Sequence, residues 1–238
     1  MLSMQASEAT HFGFRIDRRE AVVPLPKSKV VSALLFALGA TAVASVAPTA
    51  ASTKAVAKTN PVNESQYGFS FSLPSNWRAV PLNSADAAAL LNAAKNIDPA
   101  LANVLDSQLV QAEKQGLKVY AVGPVTGTFF PNLNIGIESS AGSPTGQAFL
   151  SALDAVVKID LTEAGVQNIR TSDVQLPMGR ALKVTYRLPL KTTHSLIDVG
   201  EQLYLEHGAH IYVLTFSSLS LAQDQAVSLV VDNTWRWT

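Results

Sequence analysis

Apolar and polar residues alternate strictly in a short stretch near residue 70. In GFSFSLP, the apolar side chains of Phe69, Phe71 and Leu73 fall on one face and the two serines on the other. A period of two residues is typical of a β-strand with one buried face. A Pro-Ser-Asn turn follows the strand. Trp77, just after the turn, is predicted to lie in the core.

Helical spacing appears in four other segments. Apolar residues recur there every three to four residues, which predicts helices with one buried face; the segments are residues 85–96, 99–115, 145–163 and 222–233. The first two are alanine- and leucine-rich and are separated near Pro99, because proline interrupts a helix. Gly116 and Gly165 are predicted to end the second and third helices.

Six further segments have the composition and alternation of strands. They cover residues 118–123, 132–139, 168–176, 180–190, 197–206 and 209–216. In the fourth of these, Lys183, Thr185 and Arg187 alternate with apolar residues. We therefore expect one buried face and one face that is wet or only partly covered.

The order of these elements predicts an α+β fold. Successive strands joined by short turns favour antiparallel pairing, and helices between them are expected to cover the sheet. The predicted architecture is an antiparallel β-sheet covered by helices, in a single domain over residues 66–238. Residues 52–65 lack an apolar period and are interpreted as a flexible linker.

The N-terminal 51 residues have the layout of an export signal. Residues 30–47, VVSALLFALGATAVASVA, form an uncharged apolar run that follows two lysines and precedes small residues. Cleavage after Ala44 or Ala51 would release the protein. A run of this length can also anchor a protein uncleaved, so both outcomes stay open, as does the export route, because Arg18 and Arg19 match the twin-arginine pattern loosely.

Charge and cysteine content exclude several classes of function. Lysine and arginine together number 18, as do aspartate and glutamate, which gives no basic excess for nucleic-acid binding. The absence of cysteine excludes disulfides, thiol catalysis, cysteine-ligated zinc and attachment of a lipid to an N-terminal cysteine. We expect an exported protein that is not a lipoprotein.

Two motifs resemble a known family. YGFSFSLPSNW at residues 67–77, and GAHIYVLTFSS at residues 208–218 before the final helix, resemble the PsbP-like α/β/α sandwich family, which includes extrinsic photosystem II subunits and exported actinobacterial proteins of the LpqN type. The resemblance implies partner binding or assembly at a membrane or in the cell envelope. It supplies no catalytic residues to place on this chain.

One cluster has side chains that could bind a metal. Glu206, His207 and His210 are of the right chemical types, but they surround Gly208 in a predicted hairpin turn, where such residues are ordinarily solvated. We therefore predict no metal site and no cofactor. A metal site would need further ligands, such as His194 or Asp198.

No stretch carries a catalytic signature. The chain has no G-x-S-x-G motif, and its glycine-rich segment at residues 123–128 is not followed by the lysine of a phosphate-binding loop. A hydrolase or transferase acting on lipid or glycan remains an alternative. It would require a serine or carboxylate held against His194, His207 or His210.

The predicted function is binding, with an unknown envelope protein or lipid as partner. One candidate surface is the open sheet face with Lys183, Thr185 and Arg187. The other is a loop in which Phe129 and Phe130 could be exposed. A carrier with an apolar cavity between sheet and helices is a further alternative.

Overall fold

The computed structural model describes residues 59–80, 82, 85–97, 99–114, 116–124, 130–140, 145–189 and 197–238. The predicted signal segment at residues 30–47 lies outside them. The four helices are α1 (Ala85–Ile97), α2 (Pro99–Lys114), α3 (Gly146–Glu163) and α4 (Leu221–Thr234). The ten strands are β1 (Thr59–Glu64), β2 (Phe69–Pro74), β3 (Arg78–Ala79), β4 (Val119–Val122), β5 (Asn132–Ser139), β6 (Gln167–Leu176), β7 (Gly179–Pro189), β8 (Ile197–His207), β9 (His210–Ser218) and β10 (Arg236–Trp237).

Seven strands form one large antiparallel sheet. Its order is β3-β4-β5-β9-β8-β7-β6, and every neighbouring pair is antiparallel. Four of its strands, β6 to β9, follow one another along the chain as antiparallel hairpins, as predicted from their short connections. The predicted α+β class, an antiparallel sheet covered by helices, is confirmed.

Three strands form a second, smaller sheet in the order β1-β2-β10. The prediction of a linker over residues 52–65 is wrong for Thr59–Glu64, which pairs with all of β2. Sequence periodicity gave no signal for β1 because Val62 is its one buried residue. Pairing with β2 and the amide of Asn60, which donates to the carbonyl oxygen of Trp77 at 2.8 Å, hold it in place.

Helices and the small sheet cover both faces of the large sheet. On one face, here called the α4 side, α4 and the small sheet enclose a cluster that includes Phe69, Leu214 and Trp235. On the other, the α3 side, α3 packs over Leu182 and Val184, while α2 packs over β4. Apolar burial on both faces explains why the central strands are almost continuously buried.

Two paired strands make a close side-chain contact at Gly200 in β8. This residue is paired with Tyr186 of β7, and the tyrosine ring occupies the space in which a side chain at position 200 would lie. A Cβ there would overlap the ring. Glycine is therefore required for β7 and β8 to keep this register next to the cleft described below.

Candidate binding cleft

A cleft of about 320 Å³ lies at the edge of the large sheet formed by β6 and β7. It opens on the α4 side, where the strands meet the start of α4. Among the described residues, its walls include Asn168, Arg170, Thr185, Tyr186, Arg187, Val199 and Leu221. The volume is at the lower end of the range for small-ligand sites.

Strand register brings two arginines together in this cleft. Arg170 of β6 is paired with Thr185 of β7, and Arg187 lies two residues farther along β7 on the same face. Diagonal neighbours of this kind are typically about 7–8 Å apart. Both side chains are exposed, and neither guanidinium pairs with an acidic residue in the part of the chain that the structure describes.

A β-bulge shapes the floor of the cleft. The pairing of β6 with β7 shifts between Gln167 and Arg170, and Asn168 in the bulge has a φ of 53°. Asparagine tolerates this left-handed conformation better than most residues. Bulges bend a strand locally and redirect its side chains, and they are frequent beside functional sites.

The predicted open face is only partly open. Lys183 is half-buried, and its ammonium group lies 2.6 Å from a carboxylate oxygen of Glu201. Glu201 is completely buried on β8, directly opposite Thr185. Lys183 thus neutralises a buried charge and is not available at the surface, whereas Thr185 and Arg187 line the cleft.

A second buried carboxyl group stands close to this ion pair. Asp224 lies one turn into α4 after Leu221 and is almost fully buried. Burial raises its pKa to about 8, the Ser218 hydroxyl acts in the opposite direction, and the Glu201 charge raises it further. At neutral pH Asp224 is mainly protonated, so the wall behind the cleft carries no net charge.

We expect the protein to lose stability as the pH rises, because of Asp224. Its pKa is near 3.8 in the unfolded chain and about 8 in the folded one, so the folded state binds more protons between these values. The free energy of unfolding should therefore fall by roughly 2 kcal/mol between pH 6 and pH 8 from this group. Urea unfolding at a series of pH values measures this change in the free energy of unfolding.

Asp224→Asn should remove most of this slope, since the amide does not titrate. Glu113→Gln, on the exposed side of α2, is the matched control and should keep it. An unchanged slope in Asp224→Asn would show that another group is responsible.

The loop with the two phenylalanines does not provide an exposed pair. Phe130 is buried and belongs to the cluster that contains Leu105 and Tyr120, so it is not available as a tip for insertion into a partner. Phe130 is buried because helices α1 and α2 cover that end of the sheet. Phe129 lies outside the described residues.

The three candidate metal ligands do not all lie on one face of the sheet. His207 and His210 are paired across the β8–β9 turn and lie on the α4 side, where His207 stacks on Trp237 at 3.9 Å between ring centres. Glu206 lies on the opposite face and accepts a hydrogen bond from the backbone nitrogen of Gly146 at 3.0 Å, at the start of α3.

Alternation along the strand separates Glu206 from the histidines. The described residues contain no group of three or more histidines, cysteines and acids that could hold a metal ion. That no metal or cofactor binds stays a prediction, because His194 lies outside the described residues and so does the side chain of Asp198.

Among the described residues, neither His207 nor His210 forms the nucleophile–histidine pair that the hydrolase alternative requires. The ring of His207 contacts Trp237, and that of His210 meets the edge of Tyr212. Within the described ranges, neither imidazole bonds to a serine or a carboxylate. His194, the third histidine that this alternative could use, lies outside those ranges.

None of the helices in the described part of the chain is long and apolar enough to cross a membrane.

Comparisons with known proteins give matches in structure only. No protein-family model matches the chain. No curated protein matches it either.

The solved structures similar to this chain include cyanobacterial PsbP from Synechocystis sp. PCC 6803, with 12% identity, 80% of this chain and 98% of that chain covered, and a TM-score of 0.43. They also include LpqN, described as involved in cell envelope biogenesis of Mycobacterium tuberculosis, with 12% identity, 77% and 92% covered, and a TM-score of 0.42. These likenesses concern the fold alone.

Proposed function

We propose that this chain is an exported, non-catalytic binding protein of the cell envelope and that the cleft between β6, β7 and α4 is its binding site. The observation that carries the proposal is the pair of exposed arginines, Arg170 and Arg187, on the walls of one cleft. Two like charges side by side repel each other. Their placement in a concave site is best explained by a ligand that they bind together.

Export is proposed from the apolar run at residues 30–47 and the small residues that follow it. The given sequence contains no cysteine. We propose that the protein is either released or retained by the apolar run itself.

The proposal is tested by purifying the full chain from the envelope and culture-fluid fractions of its own host, followed by native mass spectrometry. We expect a mature mass beginning near residue 45 or 52, or a full-length mass in the membrane, together with a bound molecule. Arg187→Glu should remove that molecule.

Arg78→Glu makes the same charge change on β3, at the opposite edge of the large sheet, and should leave binding intact. A protein found only in the cytoplasm would overturn the export proposal. Equal loss of the bound molecule in both variants would overturn the assignment of the cleft.

A further inference from the structure

The cleft combines cationic and apolar walls. Arg170 and Arg187 provide two positive charges at the rim formed by β6 and β7. Leu221, the first residue of α4, lines the same cleft and is 37% exposed, so its apolar surface is open to a ligand. Val199 of β8 adds half-buried apolar surface beside Arg187.

The charge of this site stays positive when the buried groups behind it are included. Glu201 is compensated by Lys183, and the carboxyl of Asp224 is mainly neutral near pH 7 because burial raises its pKa to about 8. The two arginines therefore remain uncompensated among the described residues. A ligand that neutralises them must carry negative charge.

The geometry of the guanidinium groups limits which anions fit the cleft. Each guanidinium presents a planar fork of donors that matches two oxygens of a carboxylate or a phosphate. Two arginines that flank one threonine can share one such group, and the Thr185 hydroxyl offers a third hydrogen bond. The apolar wall of Leu221 and Val199 lies where the remainder of the molecule would rest.

We propose that the cleft binds the phosphate or carboxylate group of an amphiphile, with the anion between Arg170 and Arg187 and the first part of the apolar chain against Leu221. This inference rests on the proposed function and names the class of ligand for the same site. The open shape of the cleft suits a headgroup, while the longer part of an acyl chain stays outside.

The test uses the purified full chain and three soluble probes: dihexanoyl phosphatidylglycerol below its micelle concentration, the zwitterionic dihexanoyl phosphatidylcholine, and glycerol 3-phosphate. Isothermal titration calorimetry gives each dissociation constant. We expect the anionic amphiphile to bind at least tenfold more tightly than the zwitterionic one. Glycerol 3-phosphate should bind more weakly than the anionic amphiphile, because it lacks the apolar part.

Matched variants assign the site. Arg170→Gln and Arg187→Gln should each weaken binding of the anionic amphiphile by about tenfold or more, as expected for a lost charge-assisted hydrogen bond. Leu221→Ser should weaken binding of the anionic amphiphile and leave binding of glycerol 3-phosphate unchanged. Arg78→Gln, at the opposite edge of the sheet, should change the binding of neither probe. Any binding by the apolar N-terminal run is common to all variants and does not affect the comparison.

Each contrary outcome has a distinct meaning. Equal binding of both amphiphiles, or equal weakening by Arg78→Gln, would overturn the inference, because the attraction would not be specific to this cleft. If glycerol 3-phosphate binds as tightly as the anionic amphiphile, the ligand is a free anion and the assignment of an amphiphile is wrong. If no anion binds but a polypeptide from the envelope is lost in Arg187→Glu, the inference fails while the proposed function stands.

Discussion

Replacement of Trp235 by alanine is expected to lower the free energy of unfolding by about 3–5 kcal/mol, the usual range for removing a large buried aromatic residue. Trp235 is 2% exposed. Its ring stacks on Phe69 with 4.5 Å between ring centres and on Phe71 with 5.5 Å. The residue therefore joins the end of α4 to β2 of the small sheet, and alanine would leave a cavity between these layers.

Leu229→Ala is the matched control, because this residue of α4 is 60% exposed. Its effect should stay within about 0.5 kcal/mol, as for most surface substitutions. Urea unfolding followed by far-ultraviolet circular dichroism compares the two variants without depending on tryptophan fluorescence. Similar losses in both would contradict the prediction, because the packing of Trp235 on the small sheet would then contribute no more than an exposed leucine.

Periodicity was enough to predict most of the fold. The alternating residues of GFSFSLP became β2, with Phe69, Phe71 and Leu73 all buried, and the helical segments agree with α1–α4 to within about two residues at each end. These elements were predictable because one face of each is apolar. The strand β1 and the two-residue strands β3 and β10 were not, because long-range pairing holds them and their side chains carry almost no pattern.

Part of the cleft could be predicted from the sequence. Alternation along β7 placed Thr185 and Arg187 away from the core face, and both line the cleft. Arg170 was missed because its position beside Thr185 depends on the register of β6, which the bulge at Asn168 shifts. A single sequence gives little information on cross-strand register or bulges.

The buried charges could not have been assigned from sequence either. Lys183 alternates with apolar residues in the same way as Arg187, yet one forms a buried ion pair and the other is exposed. The difference arises from their neighbours on β8, because Lys183 lies beside the buried Glu201, whereas Arg187 is paired with Val199. Asp224 looks like an ordinary acidic residue in the first turn of a helix, where it would be expected at the surface.

Lys183→Met is expected to lower the free energy of unfolding by about 3–5 kcal/mol at pH 8, because it leaves the carboxylate of Glu201 buried without its cation. Glu201 is 0% exposed, and the ammonium of Lys183 lies 2.6 Å from it. Asp224 cannot replace the cation, since it is an acid and adds negative charge when it ionises.

The double variant Lys183→Met/Glu201→Leu separates the ion pair from the packing. It should regain most of the stability lost in Lys183→Met, since apolar residues of similar size often replace a buried pair without loss. Lys158→Met is the comparison for an exposed ion pair, because Lys158 pairs with Asp154 at 2.8 Å on the surface of α3. This variant should lose less than about 1 kcal/mol of stability. Two outcomes would contradict this prediction: Lys183→Met costs no more stability than Lys158→Met, or the double variant is the least stable of all. Either would show that Glu201 does not depend on Lys183 for charge compensation. The neutral wall behind the arginines of the cleft would then need a different explanation.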